Sequence, residues 1–537
     1  MNESTAMDVD FGRTGVLAAM CLALVLVVAS VSSVNLALTN ISVDLGTTSS
    51  QLTWIADGYT VALAALVLPF GALGDRYGRR TLLLIGAIVF GFASLAASVA
   101  QSPEYLIGCR IAMGVGAAMI MPGTLSTITA VFHAEGRGRA VSVWAGFASS
   151  GAILGLLTCG LILEWFTWRA SFIVTAGLAA ITFLGALWLA PNTSDREEAI
   201  IDLPGYVLSG IGIGALVFGI IDAAEAGWSA GRAITGLAVA AVALVAFVAW
   251  ELHTRCPMLD VRLFALRGFG AGSLALTVQF LCLFGFFMVG LQFLQLVLGY
   301  SAIHSAVSLL PLGMIVMPMS RKAPHVVARF GPRAVMTTGL TCLASGLALM
   351  STLDGGSSYW HFLGGLTVFA FGMAFTSTPA TTAIVTSLPR AKQGVASAMN
   401  DVSREVGSAI GIAVLGSLFN AGYRDSITPA TSQLPAEAAH RVEESAGAGF
   451  AVAGRIGPEG DILAAAVRAA FTEGLGDAMR AGALIAILAA CFVAWRGPRR
   501  EARVVHAEDG DCSARYEPAL VAIGAGHATR STHMLGS

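Results

Sequence analysis

Of the 537 residues, 56% are apolar and only 12% are charged, and the mean hydropathy is +0.75; soluble domains carry about 25% charged residues. That balance excludes a soluble globular protein and points to lipid. A net charge of -2, with the basic residues confined to short loops, also excludes a nucleic-acid partner, which needs a clustered basic face. Because a bilayer core takes about 20 apolar residues per helix, the chain divides into fourteen predicted spans. They lie near 15–41, 53–73, 81–100, 105–131, 140–163, 168–190, 203–221, 232–250, 270–297, 305–320, 334–352, 360–388, 394–420 and 479–495. The first is too long for the apolar core of a signal peptide and has no clear cleavage site behind it.

The connections carry an uneven charge. Among the first twelve, the even-numbered ones hold 15 Lys and Arg and the odd-numbered ones 2. By the positive-inside rule both termini are cytoplasmic in a multi-pass cell-membrane protein. The thirteenth connection, about 421–478, is then a long external loop, and its amphipathic segment from Ile462 to Gly476 is expected to be a separate surface helix. Past Trp495 the arginines 496, 499, 500 and 503 read as a cytoplasmic stop against lipid headgroups, followed by a polar tail. The cysteines are scattered without a CxxC pair and there is no phosphate-binding GxxxxGK[ST] loop, so no disulfide framework, metal site or built-in ATP motor is expected.

Between the second and third spans stands Gly71-Ala-Leu-Gly-Asp75-Arg76-Tyr-Gly78-Arg79-Arg80, and a fainter copy appears at Val327-Ala328-Arg329-Phe330-Gly331-Pro332-Arg333. Gly78 and Gly331, and Gly86 and Gly339, keep one constant offset. An all-α membrane protein of two pseudo-symmetric six-helix bundles follows, with two extra helices inserted between them. The expected division is 1–190 for the first bundle, 191–260 for the inserted two-helix linker, 261–495 for the second bundle and 496–537 for the tail. Ala328 stands where the first copy has Asp75, so the two loops are not equivalent.

Further stretches accompany the loop: Trp54-Ile-Ala-Asp57-Gly-Tyr59, Arg110 with Gly114 and Gly116, Asp202-Leu-Pro204-Gly205, Pro257-Met-Leu-Asp260-Val-Arg262-Leu-Phe264 and Gly394-Val-Ala-Ser397 leading to Arg404-Glu405-Val-Gly407. Together they resemble the major facilitator superfamily, and within it the fourteen-helix drug:proton antiporter branch of QacA- and EmrB-like multidrug exporters. The resemblance runs through most of the chain. It implies a secondary transporter, not an enzyme, whose halves rock about a central cavity. The implied partners are a small amphipathic substrate and the bilayer; the energy source is a proton gradient without a cofactor, and a monomer is expected.

The residues themselves narrow the candidates. Gly71, Asp75, Arg76, Gly78, Arg79 and Arg80 suit a cytoplasmic gate, and the resemblance implies that Asp75 meets a helix N-terminus or an arginine of the other half. The alternative is that the arginines only anchor topology. Asp57 is an acid within a span, where a charge costs about 2.5–3.5 kcal/mol at the centre; it is the leading proton-coupling candidate, with hydration at the interface as the alternative. Arg110 would respond to it, or serve only as a structural arginine. Asp401, Arg404 and Glu405 form a second-half cluster, read as proton coupling through Glu405 or as a local salt bridge at the cytoplasmic mouth. Gly151, Gly155 and Gly160 are the candidate helix-packing motif. Asn35, Phe287, Gln292 and Gln295, the last three in a ninth span rich in Phe, are the candidate substrate-cavity residues.

Departures from the family pattern bear on the mechanism. Ser30 replaces the first-span acid, Thr39 a proline, Met113 a glutamine and Leu156 the fifth-span proline, while Cys159 stands where another glycine is common. Val261 to Leu353 contains no acid, so a neutral, anionic or monocationic cargo is expected rather than a dication. Two other functions stay open: an uptake permease or uniporter of a small organic molecule, and a membrane sensor or scaffold that transports nothing.

Overall fold

In hydrocarbon a backbone N–H has no water to bond, so a spanning segment must satisfy itself as a helix. The computed structural model describes residues 3–47, 49–132, 134–192, 202–254, 257–388, 392–432, 434–456 and 460–498, and among them there is no β-strand. The arginines at 499, 500 and 503 and the polar tail lie outside the described residues, as does the side chain of Thr39. Among the described residues thirteen helices are long and apolar enough to cross a membrane, and the helix pair Gly136–Ala148 and Ser150–Trp165, bent by 41°, makes a fourteenth span.

The first bundle comprises α1 (Glu3–Leu45), α2 (Ser49–Tyr77), α3 (Arg79–Ser98), α4 (Pro103–Val131), α5 (Ala134–Trp165) and α6 (Trp168–Leu189). The inserted hairpin is α7 (Leu203–Ala226) and α8 (Gly231–His253). The second bundle comprises α9 (Arg267–Gln292, continued by a π turn Phe293–Val297), α10 (Ala302–Ser308) with α11 (Leu310–Phe330), α12 (Pro332–Met350), α13 (Tyr359–Thr386), α14 (Gln393–Thr431) and α17 (Gly460–Arg496). Two short helices, α15 (Ala436–Glu444) and α16 (Ala446–Ala453), fill the connection before α17.

The repeat seen in sequence recurs in packing. α1 packs on α5 as α9 does on α14, α3 on α4 as α12 on α13, and α3 on α6 as α12 on α17. A side chain at Gly86 would strike the Gly116 carbonyl at 2.8 Å, and one at Gly339 would strike the backbone of Phe375 at 2.8 Å, so both halves use a glycine to bring the same helix pair together. Gly78 and Gly331 start their third helices with φ of 105° and 84°, a conformation that favours glycine. Across the halves the contacts are also paired by pseudo-twofold symmetry: α2 with α14 and α11 with α5, α4 with α14 and α13 with α5. The outer faces carry exposed Phe92, Trp188, Val242, Val245 and Leu488, an apolar belt suited to lipid.

Two expectations are corrected at the end of the chain. The segment 462–476 is not a separate surface helix; it is the first part of α17, with Val467, Ala470 and Phe471 buried. α14 continues to Thr431, so the connection spans 432–459 rather than 421–478. Arg480, which interrupts the hydropathy, is paired with Glu473 at 3.2 Å and Asp477 at 2.8 Å, and Phe471 meets Phe419 of α14 edge to face at 4.9 Å. Packing of this kind sustains the helix where polarity alone predicted a break.

Candidate functional site: an interdomain gate and a buried polar seam

The last turn of α2 presents Asp75 to the first turn of α14 in the other half. Its carboxylate accepts from the Gly394 N–H at 2.8 Å and the Val395 N–H at 3.2 Å, and from Arg79 Nη2 at 2.7 Å and Nε at 3.0 Å. Those two amides are among the four that a helix start leaves unpaired, and the dipole there favours a negative charge. Two glycines permit the approach. A methyl on Gly71 would meet Ala398 Cβ at 2.5 Å and the Gly394 carbonyl at 2.7 Å, and one on Gly394 would meet the Gly71 carbonyl and Asp75 Oδ1. Arg79 is itself buried and reaches the Ser126 carbonyl of α4 at 3.4 Å, while Arg80 donates to the Leu187 carbonyl of α6. Arg76 lies over the exposed Tyr77 ring. Of the six predicted gate residues, Gly71 and Asp75 touch the opposite half directly, Arg79 braces Asp75, and Arg80 ties the loop to its own bundle.

At the far end of α2, Arg110 of α4 is fully buried. Its Nε donates to the Ile55 carbonyl at 2.9 Å and its Nη2 to the Ala56 carbonyl at 3.2 Å, and the guanidinium lies 4.6 Å from the centre of the Tyr59 ring. Nη1 is buried without a partner. Tyr59 donates to the Val27 carbonyl of α1 at 3.0 Å. Asp57, half-buried on α2, lies within electrostatic reach of Arg110, and Glu405 of the second half lies within reach of Tyr59. Asp57, Tyr59 and Arg110 thus stand together within the first bundle, with Glu405 of the second half within electrostatic reach of Tyr59. Asp57 and Asp75 are 18 residues apart on one helix, about 27 Å at 1.5 Å per residue.

The second-half cluster is buried. Asp401 is fully buried and Arg404 is 4% exposed, with Nη1 of Arg404 3.5 Å from Asp401 Oδ1. The Arg404 guanidinium stands 4.7 Å from the Phe280 ring of α9 and 5.6 Å from the Trp144 ring of α5, so it bridges the two bundles. Around it Asn400 accepts from Thr381 at 2.9 Å, while both Gln279 amide atoms and Asn400 Nδ2 are buried without partners. The local salt bridge that the sequence suggested is present, and it is buried among these groups. Trp144, Gln279, Thr381 and Asn400 escaped the sequence reading; a polar amide inside an apolar run was the available signal for Gln279 and Asn400.

The packing motif is only partly tight. A side chain at Gly155 would meet the Ala29 carbonyl of α1 at 2.5 Å and one at Gly151 would meet Val28 at 3.2 Å, but at Gly160 the nearest atoms lie at an ordinary 3.6 Å. Ser30 spends its hydroxyl on the Leu26 carbonyl of its own helix at 2.6 Å. The candidate cavity residues are dispersed: Asn35 is exposed on α1, Gln292 donates to Met288 of its own helix at 3.0 Å, and Gln295 lies half-buried in the π turn. Phe287 joins Phe284 and Phe286 in a ring cluster, but Phe286 and Phe293 turn into the second bundle against Phe362 and Phe369. The aromatic run on α9 thus serves largely as bundle core. Among the described residues no hydrogen bond or ring contact joins Asn35 to the α9 group.

Known proteins agree with this architecture. The chain is 32% identical over 478 residues to the multidrug efflux pump LfrA of Mycolicibacterium smegmatis, covering 89% of this chain and 95% of that protein. It is 32% identical over 459 residues to the methyl viologen resistance protein SmvA of Salmonella typhimurium, covering 85% and 92%. It is 31% identical over 397 residues to the multidrug resistance protein Stp of Mycobacterium tuberculosis, covering 74% of each. The fold matches the human organic anion transporter MFSD10 at a TM-score of 0.61 with 13% identity, covering 90% of this chain and 99% of that one, and the proton:xylose symporter XylE at 0.60 with 15% identity, covering 91% and 97%. The Major Facilitator Superfamily profile matches residues 20–412, and the chain is a multi-pass membrane protein belonging to that family.

Proposed function

We propose that the protein exports amphipathic small molecules from the cytoplasm in exchange for protons, its two bundles rocking about a pocket on the seam. The observation that carries this reading is the Asp75 contact with the Gly394 and Val395 amides, a closure between halves made of a few strong, separable bonds. Such a contact suits alternating access, in which one end must be tight in one state and open in the next. The similarity to an efflux pump and to drug-resistance proteins supports export as the direction and drug-like molecules as the cargo. By the charge asymmetry of the loops, the Asp75 end and both termini face the cytoplasm. The protein works as a monomer and needs no cofactor.

Coupling is assigned to the seam group. A proton arriving from outside at Asp57 alters the field at Arg110, whose hold on the Ile55 and Ala56 carbonyls is the element that responds, and Glu405 extends the group into the second half. Each inward proton brings about 1.36 kcal/mol per unit of pH difference and about 2.3 kcal/mol per 100 mV. The test is dye or drug accumulation in everted vesicles on imposing a proton gradient, with Asp57→Asn beside the parent. Gradient-driven accumulation that the variant abolishes while still binding substrate is the expected result. Accumulation indifferent to the gradient would instead favour a uniporter or permease, a reading supported by Ser30 in place of the first-span acid. Competition by a neutral, a monocationic and a dicationic amphiphile, methyl viologen serving as the last, separates the cargo classes.

A further inference from the structure

The inserted hairpin carries a buried acid pair that neither the gate nor the coupling group uses. Asp202 caps α7, accepting from the Gly205 N–H at 3.0 Å; the same Oδ1 accepts from Trp250 Nε1 of α8 at 2.7 Å, and Oδ2 faces the Met258 N–H at 3.4 Å. One carboxylate therefore ties the start of α7 and the end of α8 to the stretch of chain that enters the second bundle. Glu251 of α8 is 2% exposed, its carboxyl turned to that of Asp202 and to the Leu259 amide, and both of its oxygens are buried without a hydrogen bond of good geometry. Gly205 leaves room for it: a Cβ there would stand 2.7 Å from Glu251 Oε1.

The charged and titratable groups around the pair are few. Tyr206 of α7 lies within electrostatic reach of Asp202 and also of Asp75 and Arg76 at the gate. Lys392, at the start of α14, is within reach of Glu251 but spends its ammonium on the Pro257 carbonyl at 3.1 Å. Arg255 is outside the described residues. Two carboxylates in contact, away from water and without a direct cation, cannot both ionise cheaply. A metal ion fits poorly beside a lysine and with two acids as its donors, whereas one proton supplies the missing donor.

We propose that Asp202 and Glu251 form a proton-binding site that clasps the base of the inserted hairpin to the gate. The shared proton lies between the carboxyls, with Glu251 donating to Asp202. Its loss leaves two adjacent buried negative charges, which separate α7 from α8 and draw Lys392 from Pro257, two residues before the amides that hold Asp75. The site stands apart from Asp57 and Glu405, so it senses proton activity at the gate end rather than driving transport.

The test needs no transport assay, so it stays informative even if export is the wrong function. Thermal unfolding of the purified full chain is followed against pH for the parent, Glu251→Gln and Asp202→Asn. If the native pair holds a proton that the unfolded chain releases, parent stability falls as pH rises through neutrality, by up to tenfold in the folding constant per pH unit. Glu251→Gln carries a permanent N–H donor to Asp202, so its melting temperature should lack that component and exceed the parent's at alkaline pH. Asp202→Asn removes the repelling charge, so the same component should move to lower pH. Parallel profiles for parent and Glu251→Gln would overturn the site. So would failure of Glu251→Gln to fold, because glutamine reproduces the protonated carboxyl in size and in donating ability.

Discussion

Replacing Asp75 by Asn tests the gate most directly, because it keeps the side chain's size while removing its charge and turning one acceptor oxygen into an NH2 donor. The carboxylate accepts from two backbone amides of the opposite half and two nitrogens of Arg79. Hydrogen bonds to a charged group contribute about 1.5–3 kcal/mol each, against about 0.5–1.5 for neutral ones. Only the two amide bonds cross between halves, so the closed state loses about 2–3 kcal/mol relative to the open one, a population shift of about 30-fold to 150-fold. The loss at Arg79 burdens both states, since residues 75 and 79 move together. Spin labels at positions 77 and 330, exposed by 53% and 61% on the corresponding loops of the two halves, report the opening as a distance distribution in a background freed of native cysteines. The parent should show a dominant short distance and Asp75→Asn a dominant or strongly enriched long one. An unchanged distribution, in a variant that remains folded, would refute the idea that these bonds hold the halves together.

Arg110→Lys replaces a fork that reaches two carbonyls by a single point donor; losing about 2–3 kcal/mol of positioning there should lower gradient-driven flux about 30-fold to 150-fold in everted vesicles, while a decrease below threefold would mark the arginine as structural only. Gly155→Val sets a branched side chain against the Ala29 backbone, where even a Cβ would stand 2.5 Å from the carbonyl; a cost of about 1–3 kcal/mol should appear as a lower melting temperature, with the equivalent change at Gly160 markedly milder. Asp44, outside the spans, is held below the ordinary carboxylate range by hydrogen bonds from Arg169 and then Trp168. Its stabilisation is thus present above about pH 4 and disappears as pH falls through the lower folded value. Because the pair is exposed, Asp44→Asn should cost under about 1 kcal/mol, less in high salt and nothing at strongly acid pH.

The repeat was legible because its signals are local. A glycine that must take positive φ, flanked by arginines at one membrane face, leaves the same mark at 78 and 331, and the packing glycines at 86 and 339 keep the same spacing. The chemical type of Asp75's partner could be anticipated, but not the particular amides of Gly394 and Val395, which depend on how the two bundles meet. Hydropathy failed at α17 because Glu473 and Asp477 fell in the predicted connection, although both pair with Arg480 on one continuous helix. It failed differently at Glu251, which falls just past the end of the predicted eighth span and so looked like the first residue of a polar loop. Its burial depends on Asp202, 49 residues away in sequence. The dispersal of Asn35 from Gln292 and Gln295 has the same origin: composition marks polar groups within spans but not the faces they share.

In the proposed cycle, the asymmetry between the loops would make the two contacts between halves unequal. The pseudo-twofold partner of the α2–α14 contact is the α11–α5 contact, where Ala328 replaces the acid; a Cβ added to Gly138 there would stand 3.8 Å from Pro324, an ordinary van der Waals separation. A gap of about 0.5–1 Å already forfeits a quarter to a half of a dispersion contact, so the two contacts differ in strength rather than in range, hydrogen bonds to a charged group contributing about 1.5–3 kcal/mol each. On the proposed alternating-access reading, α2 and α14 would supply the catch, and α5 and α11 the apolar surface about which the halves turn. Asp57 rides on the same helix as that catch, about 27 Å away, and Glu405 on the same helix as its receptor. On the proposed coupling, a change of charge at Asp57 or Glu405 would reach the catch along these helices, α2 carrying Pro69 between its two acids, and a second acid at position 328 would be expected to slow the cycle by adding a catch without a coupling group to release it.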